Sequence, residues 1–282
     1  WYLIILSSYL ISNMSKNKID NSNIFFQNRV SDLCFFLSLY FIYTFSNSIN
    51  FEIIFKNFQI VEHNVNFLNI TFSSVDIIIF ILFFSFLLRC RQFYISNSRY
   101  DLLNFNTSLY SIILYGLYIP IGLYFILRFF TLTQTSLDYL NILLLLGSFF
   151  TFIFSILLIF SHNLNKLIIY ISSAQFGILL IASGLKLYSA VVFHLFTSTI
   201  SLLTLSLSFG IISSKLNNEQ DIRKMGYLMI KCPFTFLFVL IGFVSLLGIP
   251  YFSGFYSNQL FFFQSSIINL KYYFLIFTYC FF

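Results

Sequence analysis

The sequence predicts an all-α, polytopic membrane protein with about eight to nine transmembrane helices. Three observations carry that reading. The 282 residues are 59% hydrophobic and only 9% charged, with a mean hydropathy of +0.89, where soluble domains carry about 25% charged residues. Apolar runs long enough to span a bilayer, about 20 residues each, alternate with short polar, basic stretches. One of those runs, 233–262, holds Gly248, Pro250 and Gly254. Proline removes a backbone donor and clashes with the preceding turn, so this run cannot form one straight helix.

In chain order, a partial helix is expected over 1–13, with spans near 31–50, 74–95, 107–130, 139–161, 167–185 and 189–213. The interrupted run at 233–262 and a last span at 266–282 follow. The 51–73 segment is too polar to span and reads as a surface loop. If the helices alternate, one side of the membrane collects Lys16, Lys18, Arg29, Arg89, Arg91, Arg99, Lys166, Lys215, Arg223, Lys224 and Lys231. Lys56, Arg128, Lys186 and Lys271 fall on the other. Eleven of the fifteen basic residues on one side is a positive-inside bias, which supports the helix count.

Composition also excludes function classes. The net charge of +6 is spread over loops without a phosphate-binding Lys/Arg run, so no nucleic-acid partner is expected. Cys34, Cys90, Cys232 and Cys280 lie far apart, and their spacing matches neither a metal site nor a disulfide framework. No nucleophile–base pair, Gly-rich phosphate loop or cofactor box is visible. No catalytic residue, metal or cofactor is therefore assigned to this chain.

The interrupted run has two readings. Freed backbone groups in hydrocarbon survive only where protein or a water-filled cavity satisfies them, and discontinuous helices often line ion paths. The plainer alternative is a proline kink in a structural helix. His194, mid-span in AVVFHLFTST, is either a proton-relay group or a neutral histidine bonded to a neighbouring Ser or Thr. Asp32, close behind Arg29, reads as an interfacial helix-start or ion-pair residue, with the proton path as the alternative. Arg89 and Arg91 end an apolar run and are expected to snorkel to headgroups; a channel role for Arg89 is the other reading. Glu219, Asp221, Arg223 and Lys224 read as a salt-bridged turn.

Three blocks then carry a resemblance: Asn218 to Gly226 (NEQDIRKMG), Pro233-Phe234-Thr235, and Leu247 to Ser257 (LGIPYFSGFYS). In order and spacing they resemble NADH dehydrogenase subunit 5, the antiporter-like membrane-arm subunit of respiratory complex I. Trp1-Tyr2, Ser8-Tyr9-Leu10, Asn28 to Asp32, Leu164 to Tyr170 with Gln175-Phe176-Gly177, and Val192 to Leu195 are similar to further family segments. Residues 67–130 align by hydrophobicity alone. The resemblance implies an antiporter-like fold of inverted repeats. Residues 1–160 would hold a partial first repeat (helices near 1–13, 31–50, 74–95 and 107–130) and the start of the second. Residues 161–282 would hold the second repeat, with its loop at 214–232 and the broken helix at 233–262.

The resemblance further implies the mitochondrial inner membrane, with basic loops 14–30, 89–106, 162–166 and 214–232 in the matrix. It implies other membrane-arm subunits and lipids as partners, with FMN, iron–sulfur clusters and ubiquinone held by other subunits. The chain opens on Trp rather than Met, and a separate polypeptide is expected to supply the missing early helices. The Glu219 to Lys224 loop would seat against neighbouring helices and the next subunit.

The departures from the family pattern matter as much. Its proton path runs along buried Glu, Lys and His, but here the expected glutamate falls on Tyr2. A lysine falls on Leu202, a histidine on Ser198, and a Lys-Asp pair on Asn258-Gln259. A further lysine falls near Arg89, which stays protonated at any accessible pH. The resemblance implies a subunit associated with proton translocation whose own path is eroded, leaving a structural role in the foreground. A free-standing cation/proton antiporter is the alternative.

Overall fold

The computed structural model describes residues 18–48, 50–60, 64–67, 70–90, 114–129, 137–217 and 219–267. The expected helices at 1–13 and 266–282, most of loop 89–106, and Tyr2, Arg91, Arg99 and Lys271 lie outside them, apart from the first residues of each range that falls partly within. The described chain is helical but for one small hairpin. It runs α1 (Lys18–Ser46), α2 (Phe51–Ile60), β1 (Asn64–Phe67), β2 (Ile70–Ser73) and α3 (Ser74–Arg89). A π-turn at Leu114–Tyr118 leads into α4 (Ile119–Arg128), then α5 (Leu137–Ile159), α6 (Leu164–Gly184) and α7 (Tyr188–Lys215). After short turns at Ile222–Lys224 and Leu228–Lys231 come α8 (Pro233–Leu247) and α9 (Ser253–Ile267).

Among the described residues, three helices are long and apolar enough to cross a membrane: Tyr139–Ile159, Leu164–Gly184 and Tyr188–Lys215. Ile119–Arg128 and Pro233–Leu247 are shorter apolar helices. The interrupted run is two helices, as its glycines and proline require.

Two boundaries differ from the sequence reading. Within 51–73, read from the sequence as a surface loop, Phe51–Ile60 is helical and Asn64–Phe67 pairs antiparallel with Ile70–Ser73, Asn64 facing Ser73 and Phe67 facing Ile70. Helix α1 starts at Lys18, so the described part of the expected loop 14–30 is helical. Hydropathy marks where a helix enters lipid; it does not mark where a helix begins. The polar stretch KIDNSNIFFQNR holds neither Gly nor Pro to stop one.

Helix α6 is the centre of the described bundle, buried from Ile171 to its end at Gly184 without interruption. It packs on α5 through Gly147 and Gly177: a Cβ on either would lie 2.8 Å from the carbonyl oxygen of the other. Small residues let backbones approach this closely, and in lipid such packing replaces the hydrophobic drive. On the other side of α7, Gly242 of α8 is pressed against Leu205. At one end of the bundle, the loop after α7 is stitched to the turn before α6. Leu164 N–H donates to the Gln220 carbonyl (3.0 Å), and Ile222 N–H donates to the His162 carbonyl (2.9 Å). Asn163 caps α6, its side chain accepting from Asn165 N–H at 2.9 Å while its amide donates to Gln220.

Candidate functional site

The break between α8 and α9 is built locally. Gly248 takes φ +69°, and its N–H donates to the Ser245 carbonyl while Ile249 N–H donates to that of Val244, both at 3.3 Å. This pair of bonds closes a helix C-terminus by satisfying its last carbonyls, and the left-handed residue it needs favours glycine. Pro250 then prevents the helix from resuming at once. Helix α9 starts so close to the end of α8 that a Cβ on Gly254 would collide with the Ser245 carbonyl. The break thus relies on Gly248 and Gly254 for different reasons, one for backbone conformation and one for space.

Continuing along α7, α9 brings Ser257 to His194. Nδ1 of His194 is 3.1 Å from Ser257 Oγ, and Nε2 is 2.9 Å from Gln175 Oε1. The Ser257 hydroxyl is 2.9 Å from the Gly254 carbonyl, and Thr197 Oγ1 lies 3.2 Å from Ser257 Oγ. Gln175, His194, Thr197 and Ser257 are all buried, Ser257 completely. Three elements meet here: the central helix α6, the continuous helix α7 and the second half of the broken pair. Gln175 and Ser257 were not singled out as partners of His194 in the sequence. A mid-span glutamine is the signal that points to a buried polar partner, because an amide in lipid must find one. Beyond His194, the hydroxyls of Ser198, Ser201, Thr204, Ser206 and Ser208 donate to carbonyls three residues back on α7. Leu202, where the resemblance places a lysine, is packed in the apolar core.

A second buried polar cluster joins α1 to α3. Arg89 is 1% exposed and its Nη1 lies 3.4 Å from both Asp32 Oδ1 and Ser31 Oγ. Its guanidinium lies over the Tyr118 ring at 5.8 Å, and the half-exposed Arg29 reaches Asp32 Oδ2 at 3.9 Å. Two sequence expectations change here. Arg89 does not snorkel to headgroups, because Asp32 offers an opposite charge inside the protein. Asp32 does not open a helix; it sits within α1, where its carboxylate faces both arginines. Phe35, Phe86 and Phe125 pack beside this pair, with Phe86 and Phe125 stacked at 5.2 Å.

The loop residues Glu219, Asp221, Arg223 and Lys224 form two exposed pairs, Lys224–Glu219 at 3.6 Å and Arg223–Asp221 at 3.2 Å. The Arg223 side chain, hydrogen-bonded to Asp221, holds its carboxyl below the usual range. The loop backbone seats on the turn before α6, and its ion pairs face outward.

The family model described as "NADH:quinone oxidoreductase/Mrp antiporter, TM" matches residues 1–282. The chain belongs to this antiporter family. NADH-ubiquinone oxidoreductase chain 5 of Chondrus crispus is 27% identical over 264 residues, 92% of this chain and 40% of the relative. The chain thus spans about two fifths of the length of the curated relatives it matches. Among solved structures, the membrane-bound sulfane sulfur reductase, an archaeal respiratory membrane complex, superimposes with a TM-score of 0.77 at 16% identity. That match covers 93% of this chain and 53% of the other. The Mrp complex from Dietzia sp. DQ12-45-1b gives 0.74 at 14%, covering 88% and 45%. The architecture is therefore the antiporter-like membrane fold.

Proposed function

We propose that this chain is part of an antiporter-like membrane-arm subunit of NADH:ubiquinone oxidoreductase, the respiratory complex that couples electron transfer to proton translocation. The observation that carries it is the broken α8–α9 pair closing on His194, in a chain of this antiporter family. On this reading the chain lies in the mitochondrial inner membrane with its basic loops in the matrix. Lys166, Lys215 and Lys231 are exposed, as that placement needs. FMN, iron–sulfur clusters and ubiquinone belong to other subunits, and this chain carries none.

What the chain contributes follows from its two buried clusters. A relay through hydrocarbon needs groups that change protonation. The Arg89–Asp32 pair joins α1 to α3, and its arginine stays charged, which is a structural role. His194 is, among the described residues, the buried side chain whose residue type, free in water, titrates near neutrality. Any proton share of this region rests on it.

The assignment is tested by mild solubilisation, native electrophoresis and mass spectrometry of the band that oxidises NADH. The chain is expected in that band with other membrane-arm subunits. Migration alone would point to a free-standing cation/proton antiporter. The His194→Ala variant of the assembled complex tests the relay, with fewer protons moved per electron expected. An unchanged ratio would leave a scaffold alone.

A further inference from the structure

We propose that Ser257 is a hydroxyl switch that lets His194 take up and release a proton without stranding a buried hydrogen-bonding group, linking its protonation to the first turn of the broken helix. This inference rests on the reading of His194 as a proton-carrying group.

The argument is a proton count. Gln175 presents its carbonyl oxygen to Nε2 at 2.9 Å. An oxygen only accepts, so a neutral His194 carries its hydrogen on Nε2. Nδ1 is then an acceptor facing Ser257 Oγ at 3.1 Å. The serine has one hydrogen to give. Directed at Nδ1, it completes the imidazole.

When His194 is protonated, both ring nitrogens donate. Ser257 Oγ must then accept from Nδ1, and its own hydrogen needs another acceptor. The Gly254 carbonyl lies at 2.9 Å and supplies it. One rotation of one O–H bond therefore satisfies both charge states. Thr197 Oγ1 has two acceptors to choose from, Ser257 Oγ at 3.2 Å and the His194 carbonyl at 3.1 Å, and so adjusts without losing a bond. The backbone need not move, and rotations of this kind are fast compared with turnover.

The device is tied to the break. Gly254 is the residue whose missing side chain lets α9 close against Ser245, and its carbonyl becomes the alternative acceptor when the proton arrives. The site is also electrostatically simple. Of the elements packed against α7, α6 carries Lys166 at its start, the π-turn carries Tyr115 and Tyr118, α4 carries Arg128 at its end, and α8 and α9 carry no charged residue, while α7 itself carries Lys215 at its end. His194 therefore has no carboxylate or lysine partner on them, so the adaptable hydroxyl replaces a counter-charge.

The test compares Ser257→Ala, Ser257→Thr and His194→Ala in the assembled complex, reading protons moved per electron across pH 6 to 9. Ser257→Ala is expected to lower the ratio as His194→Ala does, and the double variant to be no worse than either, since both remove one unit. Ser257→Thr, which keeps the hydroxyl, is expected to restore the ratio and its pH profile. If Ser257→Ala fails to assemble, Ser257→Cys replaces it. Its thiol has nearly the same shape but donates weakly, and an intermediate ratio is expected. A wild-type ratio for the serine variants beside a lowered one for His194→Ala would overturn the switch and leave the relay standing. Wild-type ratios in every variant would overturn the relay itself.

Discussion

The two buried polar clusters solve the same problem in opposite ways. Between α1 and α3, Arg89 is brought out of water as an ion and compensated by Asp32, with Arg29 and Ser31 filling in. Between α6, α7 and α9, His194 is held by neutral groups, Gln175, Ser257 and Thr197. A buried ion pair fixes geometry, because separating its partners leaves an uncompensated charge. A neutral network of hydroxyls and an amide can change protonation by turning bonds. The first cluster ties helices together, and the second leaves room for chemistry. This difference, rather than the number of buried polar residues, separates a scaffold from a candidate path.

Breaking the charged cluster has the largest expected effect. Asp32→Ala strands Arg89 and is expected to cost about 3–5 kcal/mol, seen as loss of the assembled chain on native gels. The double variant Asp32→Leu with Arg89→Leu removes both charges and is expected to recover most of that loss. A double variant as poor as the single one would show that the pair does more than join α1 to α3.

The neutral cluster is sharpened through its frame. Gly254→Val places side-chain atoms on the Ser245 carbonyl, and the strain is expected to cost about 1–3 kcal/mol. Thermal unfolding of the solubilised protein measures it. A shift no larger than that of Gly226→Ala, where a Cβ meets nothing within 4 Å, would mean that the close approach of α9 to the end of α8 is not needed.

The smallest effect belongs to the exposed loop, the control for both clusters. Asp221 has its pKa depressed, first by the Arg223 side-chain hydrogen bond. Its contribution is therefore present above the unfolded-state value of about 3.9 and is lost as pH falls through the lower folded value. The stability difference between wild type and Asp221→Asn is expected to be constant near neutrality, to close below about pH 4, and to shrink with added salt, since exposed charges are screened. A difference that persists at pH 2 would contradict that origin.

Much of the fold was legible in the sequence. The spans expected at 139–161, 167–185 and 189–213 appear as α5, α6 and α7 with ends shifted by a few residues. The break at Gly248 and Pro250 falls where the residues require it. The start of α1 was not legible, since polar helical residues before a span look like a loop. His194 could be picked out as a mid-span histidine. Its partners could not, because Gln175 and Ser257 lie 19 and 63 residues away in sequence. Arg89 was misplaced for a related reason: a cation ending an apolar run looks like a snorkelling residue until a carboxylate 57 positions earlier is found beside it.

By itself, then, the sequence determined the membrane class, the main spans, the broken helix and the family. These follow from interactions within a few residues: apolar length against bilayer thickness, and the backbone limits of glycine and proline. Only the tertiary structure decided which buried polar groups meet. Helices of nearly uniform hydrophobicity do not encode their partners locally. The close approaches at Gly147, Gly177, Gly242 and Gly254 set the packing, and the packing pairs Arg89 with Asp32 and His194 with Ser257.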